Sequence, residues 1–217
     1  QEFVSNSIMK VKLEAINRSA INMQLASIKN AMSGEVVVKE IELKTNSNQS
    51  IDFEINLPSS INYTQPYWLA EQGTIGMYRV EQQVNIGKPD IIREVKLIFN
   101  IEIQGVSIPF EREVIYKYND DVKGEVYKPL DIVPEVTTSI QSKVVLFNDN
   151  SPKTIDVKVK AGKDNVQGLV QLEIPENWKV TPNSISFNLS KKGEEQMVSF
   201  QIMPSKKASE IVAKCVA

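Results

Sequence analysis

The chain has 217 residues, with 25 Lys or Arg against 27 Asp or Glu and a net charge of −2. That length suggests one large domain or two ordinary ones, and 41% hydrophobic with 24% charged residues is the composition of a globular chain that buries its own core. The charge balance gives no electrostatic reason to bind nucleic acid, and no apolar run reaches the roughly 18 residues of a membrane-spanning helix. His is absent and Cys215 is the only cysteine, so His/Cys zinc sites, Ser-His-Asp or Cys-His nucleophiles and an internal disulfide are excluded. A lone cysteine fits a reducing compartment or a bacterial periplasm.

Along the chain the dominant period is two. Val11, Leu13 and Ala15 alternate with Lys12 and Glu14, and Ile51, Phe53 and Ile55 alternate with Asp52 and Glu54. This is the pattern of strands with one face in a core and one in water. A hairpin is predicted over residues 95–118. Leu97, Phe99, Ile101 and Ile103 form one apolar face, Gln104-Gly105 the turn, and Ile108, Phe110, Val114 and Tyr116 the returning face. Pro109 has no backbone donor, so it belongs at a sheet edge or near a strand start. Asp121-Val122-Lys123-Gly124 closes this hairpin, and Tyr127 to Pro134 reads as an extended connector.

Strands are then predicted at about 140–147, 154–161, 167–174, 178–180, 185–189, 197–203 and 210–216, near the strand count of a small immunoglobulin-like sandwich. The expected fold class is all-β: two immunoglobulin-like β-sandwich domains in tandem. The first spans residues 1–128 and has long loops; the second spans 129–217. Alternation of Ile211, Ala213 and Cys215 persists to the end of the chain. The last sandwich is therefore expected to be truncated, and the start at Gln1 suggests an excised or processed piece.

Five segments are candidate sites. Gln65-Pro66-Tyr67-Trp68-Leu69 is the most aromatic stretch; Tyr67 and Trp68 either plug the end of the first core or contact a partner or a sugar. Trp178 packs across the second core or forms a ligand platform. Residues 73–80 carry two glycines, but the spacing is not that of a phosphate loop and no helix follows. Asn119-Asp120-Asp121 and Asn148-Asp149-Asn150 supply oxygen atoms but lack calcium-loop spacing, so turn chemistry accounts for them. No carboxylate pair stands out as a glycosidase dyad.

The run from Gln65 to Leu69, Gly73-Thr74-Ile75-Gly76-Met77-Tyr78, Val114-Ile115-Tyr116-Lys117-Tyr118-Asn119-Asp120 and Val122-Lys123-Gly124-Glu125-Val126-Tyr127 resembles a known region. It lies downstream of the catalytic domain in large PIG-L (LmbE-like) deacetylases of Bacteroidetes-type bacteria. Leu172 to Pro182 and Lys192-Gly193-Glu194-Glu195 resemble the alpha-galactosidase-associated (NPCBM-associated) β-sandwich module. The family hydrolyses an N-acetyl group from an amino sugar or glycoconjugate with zinc held by a His/Asp cluster. None of that motif is present, so no catalytic, cofactor-binding or metal-binding residue carries over.

The resemblance implies a non-catalytic accessory region that needs no cofactor of its own. Its partner would be an upstream catalytic domain of the same polypeptide, and it would be exported to the periplasm or surface of a bacterium. The alternative is an independent glycan-binding module with exposed aromatics as its platform.

Overall fold

The computed structural model describes residues 2–217. Every regular element in them is a strand, apart from two single turns of 3-10 helix. The chain divides into two compact units, Gln1–Val133 and Pro134–Ala217.

The first unit holds β1 (Glu2–Val4), β2 (Ile8–Ile16), β3 (Met23–Asn30), β4 (Val36–Leu43), β5 (Asn48–Asn56), β6 (Lys96–Ile103), β7 (Val106–Glu113), β8 (Ile115–Asp120), β9 (Gly124–Pro129) and β10 (Asp131–Val133). A four-stranded sheet ordered β4-β3-β6-β7 and the β2-β5 pair supply most of one core. Met9 and Ile55 come from the pair; Leu25, Ile28, Leu43 and Leu97 come from the larger sheet. The alternation read from the sequence sets this register. In β2 and β5 Met9, Val11, Leu13, Phe53 and Ile55 point inward, while Lys10 faces Glu54 and Lys12 faces Asp52 across the solvent side. Opposite charges placed directly across a ladder favour that register over a slip by one residue. β1 and β10 pair in parallel, bringing Leu130 and Ile132 into the same core.

The β6–β7 hairpin forms around Gln104 and Gly105, both at positive φ (51° and 79°), as a two-residue hairpin turn requires. Pro109 lies opposite Asn100 in the edge strand β7, where a missing donor costs no ladder bond inside the sheet.

Two expectations for this region need correction. β7 stops at Glu113 instead of running on to Tyr118: the Val114 amide makes one more bond in the same register, to the Val95 carbonyl (3.1 Å), and Val114 packs on the core before the chain leaves β6. The chain then makes a separate hairpin, β8–β9, closed at Asp120–Gly124. Most of the segment read as a connector is therefore strand: β9 pairs with β8, and β10 pairs with β1. Short strands of three to six residues carry too little alternation to be told from an extended linker.

The second unit holds β11 (Val136–Ile140), β12 (Lys153–Ala161), β13 (Val166–Glu173), β14 (Lys179–Thr181), β15 (Ile185–Leu189), β16 (Glu195–Met203) and β17 (Lys214–Val216). A four-stranded sheet β11-β12-β16-β14 and a β15-β13-β17 set share one sandwich-like core. Val157, Val159, Val170 and Phe200 are completely buried in it. The predicted strand at 140–147 lies earlier, at Val136–Ile140, and the predicted strand at 210–216 shrinks to Lys214–Val216. Val144, Leu146 and Val212 are exposed while Val145, Phe147, Ile211, Ala213 and Cys215 are half-buried, so both segments keep an alternating face without forming a ladder over the predicted length. Gly162 sits where the chain crosses the unit's start. A Cβ there would lie 2.2 Å from the Pro134 carbonyl oxygen.

Candidate interaction site on the long loop

Between β5 and β6, residues 57–95 form no strand. Pro58, Pro66 and Pro89, with Gly73, Gly76 and Gly87, deny the segment both a ladder and a helix. The loop is nevertheless tied down at a neck where its outgoing and returning arms meet. Asn62 Nδ2 donates to Glu94 Oε1 (2.6 Å), and the Tyr67 hydroxyl donates to the Lys88 carbonyl (3.1 Å). Thr64 holds β10 from both sides: its amide donates to the Ile132 carbonyl (2.8 Å), and its Oγ1 accepts from the Ile132 amide (2.9 Å).

Arg93 completes the neck. Its side chain is 10% exposed. Nη1 donates to the Leu130 carbonyl (3.0 Å) and to Asp131 Oδ1 (2.6 Å), and Nη2 donates to Asp90 Oδ2 (2.9 Å). Burial works against the Arg93 charge, but the bonds and charges of Asp90 and Asp131 outweigh it and hold its pKa above the ordinary arginine value. The Ile91 amide and then Arg93 hold the Asp90 carboxyl below its usual range. A depressed carboxyl contributes stability above its unfolded value, near pH 3.9, and loses it as pH falls through the lower folded value. The neck is therefore expected to stay closed from neutrality down to about pH 4 and to loosen only below that. The Arg93 Nε–H resonance checks this: movement well above pH 4 contradicts the assignment.

Beyond the neck the loop carries the aromatic pair. Pro66 (φ −55°, ψ 126°) stays extended and leads into a 3-10 turn, Tyr67–Leu69. The Tyr67 and Trp68 rings meet edge to face, with centroids 4.9 Å apart, and both residues are half-buried. A tight turn follows, with Thr74 and Met77 exchanging backbone hydrogen bonds (3.0 and 3.3 Å) around Ile75 and Gly76. Gly76 has φ +88°, a conformation that favours glycine. The turn pushes Ile75 fully into solvent, and Met77 (72%) and Tyr78 (69%) are nearly as exposed. Leu69, Val84 and Ile86 are exposed on the same loop. Isolated exposed apolar residues are ordinary; their number on this one loop makes it the candidate interaction surface.

Trp178 belongs to the second unit and has a different setting. It packs against the buried cluster, meets Phe147 edge to face at 5.3 Å, and donates its indole N–H to Ser209 Oγ (3.2 Å). The acidic turns are local structures. Asp120 Oδ1 accepts the amides of Val122 and Lys123, and Asp149 Oδ1 accepts the amide and hydroxyl of Ser151. Among the described residues no three His, Cys, Asp or Glu side chains group closely enough to hold a metal ion. Burial pushes the Cys215 thiol up, away from the reactive thiolate. Among the described residues no helix is long and apolar enough to cross a membrane.

Sequence reading found Tyr67, Trp68 and the glycine turn, but not Arg93 or the neck. The partners of Arg93 include Leu130 and Asp131, far along the chain, and no local pattern signals such a contact. Comparison with family models gives no match, and comparison with curated proteins gives none either.

Proposed function

We propose that this chain is the non-catalytic accessory region of an exported, zinc-dependent deacetylase of N-acetyl sugars or glycoconjugates, of the PIG-L type. Its role is to pack against the catalytic domain and position that domain or its substrate. Both units are read as immunoglobulin-like sandwiches in tandem. In the second, the sandwich part of this reading is supported by two sheets, β11-β12-β16-β14 and β15-β13-β17, that share one core.

One observation carries the functional reading: the long loop presents Ile75, Met77 and Tyr78 to solvent from a turn whose base is pinned at a hydrogen-bonded neck. A presented apolar tip on a held base suits docking to another folded surface, because little loop entropy remains to be lost on binding. Tyr67 and Trp68 stand half-buried on the same loop, with Tyr67 bonded at the neck, while Trp178 serves the second core. A glycan-binding role built on the exposed aromatics is the second reading, and the exposed ring of Tyr78 favours it.

The test is the double substitution Ile75→Asp, Met77→Asp, made in this chain and in the full-length protein. Both side chains lie in solvent, so the chain alone is expected to keep its melting temperature within about 0.5 kcal/mol of stability. The full-length protein is expected to lose interdomain stability or deacetylase activity, since truncating a desolvated anchor commonly costs about 2 kcal/mol or more. Unchanged activity and unchanged unfolding of the full-length variant would sink the docking reading.

A further inference from the structure

The four-stranded sheet of the first unit is covered unevenly. On its core side Leu25 and Ile28 of β3 are buried, Phe99 and Ile101 of β6 are half-buried, and every residue of the edge strand β7 is exposed. The β2–β5 pair that shares this core sets two strands against four. Phe110 stands opposite Phe99, Ile108 opposite Ile101 and Val106 opposite Ile103. Residues directly opposite in a ladder share a face, so these six form one apolar patch that carries the core outward over β7.

The face is open, but the edge beside it is guarded against a further strand. The Val114 amide bonds to the Val95 carbonyl in the register of the β6–β7 ladder. Bonded pairs alternate, so residues 106, 108, 110 and 112 bond inward to β6, and residues 107, 109, 111 and 113 turn their backbone to the free edge. Pro109 offers no donor in the middle of that edge, and Glu111 and Glu113 add two carboxylates along it. A partner is thereby directed to the face.

The stripe on that face is its own complement. From the turn it runs Gln104, Val106, Ile108, Phe110, Arg112. A two-fold axis at Ile108 that reverses the strand sets Ile108 on its copy, Phe110 on Val106, and Arg112 on the turn at Gln104. The bulkiest side chain then meets the smallest and most exposed, Val106 at 60%. Each guanidinium meets an uncharged turn that offers carbonyl acceptors. Parallel alignment would instead stack Phe110 on Phe110 and bring two Arg112 cations together, so the charge pattern selects the antiparallel copy.

We infer that a second copy of this chain packs on the β6–β7 face, antiparallel across a two-fold axis at Ile108, to form a homodimer. The patch supplies the core of an interface and less than the roughly 800 Å² per partner of a tight one, so dissociation is expected at about 10–100 µM. The contact uses neither the loop tip nor a catalytic domain, so either assignment can fail without the other.

The experiment is sedimentation velocity of the 217-residue chain from about 5 to 500 µM, a range that brackets the expected constant. The expected result is a reversible monomer–dimer transition. Phe110→Asp and, separately, Val106→Asp are expected to weaken it at least about thirtyfold. Both side chains are more than a third exposed, so the monomer should keep its melting temperature. Ile75→Asp, at the loop tip, is expected to dimerise like the parent chain. Three results would overturn the inference: a chain that stays monomeric across the range, which leaves the face to a different partner or to solvent; a dimer that survives both β7 substitutions; or a dimer lost with Ile75→Asp, which moves the contact to the tip.

Discussion

Replacing Phe200 by Ala is expected to cost the second unit about 3–5 kcal/mol, the usual loss for a deeply buried phenylalanine. Phe200 is completely buried at the centre of β16, opposite Ile155 of β12, where both neighbouring strands depend on its volume. The hole it leaves is walled by ladder-bonded strands that cannot collapse to fill it. A domain of ordinary stability, about 5–15 kcal/mol, would lose a large share of its folding free energy. Urea unfolding followed by Trp178 fluorescence measures it. Met197→Ala is the control: Met197 lies on the same strand but is half exposed, and should cost under about 1 kcal/mol. Equal effects at the two positions would mean that the core is misplaced.

Gly162→Ala is the second large effect, and it arises from overlap instead of a void. The new methyl would lie 2.2 Å from the Pro134 carbonyl oxygen and 3.2 Å from that of Glu135. Neither obstacle is a flexible side-chain end. The Gly162 amide also donates to the Glu135 carbonyl (2.8 Å), so relief by backbone movement breaks a hydrogen bond at the entrance to β11. The expected loss is about 3 kcal/mol, the upper end for overpacking, with faster amide exchange across Val136–Ile140. Gly193→Ala, with φ +81° and open space around it, should cost only about 1 kcal/mol. A Gly162→Ala protein as stable as its parent would show that the backbones do not approach so closely.

Alternation located the long strands because each has one face in a core: Ile155, Val157 and Val159 are buried while Asp156 lies outward. It failed where burial ceased to follow the pattern. Val144 and Leu146 are apolar yet exposed, and β8 and β9 are exposed along most of their length, so neither the false strand nor the real ones could be told from composition. Tyr67 and Trp68 were legible as an aromatic cluster after a proline. Their setting was not, because it depends on Lys88 reaching the Tyr67 hydroxyl from the returning arm. Arg93 is one arginine among many exposed charges until the fold brings Leu130 and Asp131 to it.

The pinned neck separates the tip of the loop from the framework mechanically. The two arms are joined by Asn62–Glu94 and Tyr67–Lys88, and each arm leads directly into paired strands, β5 with β2 and β6 with β3. A cut in the backbone at Ile75 or Gly76 would leave two fragments that stay together without a covalent link across the gap. The same point would accept an inserted sequence, even a whole folded module, with both of its ends delivered to one place. A chain organised in this way can acquire or exchange the tip of its loop in evolution while the sheets beneath keep their register.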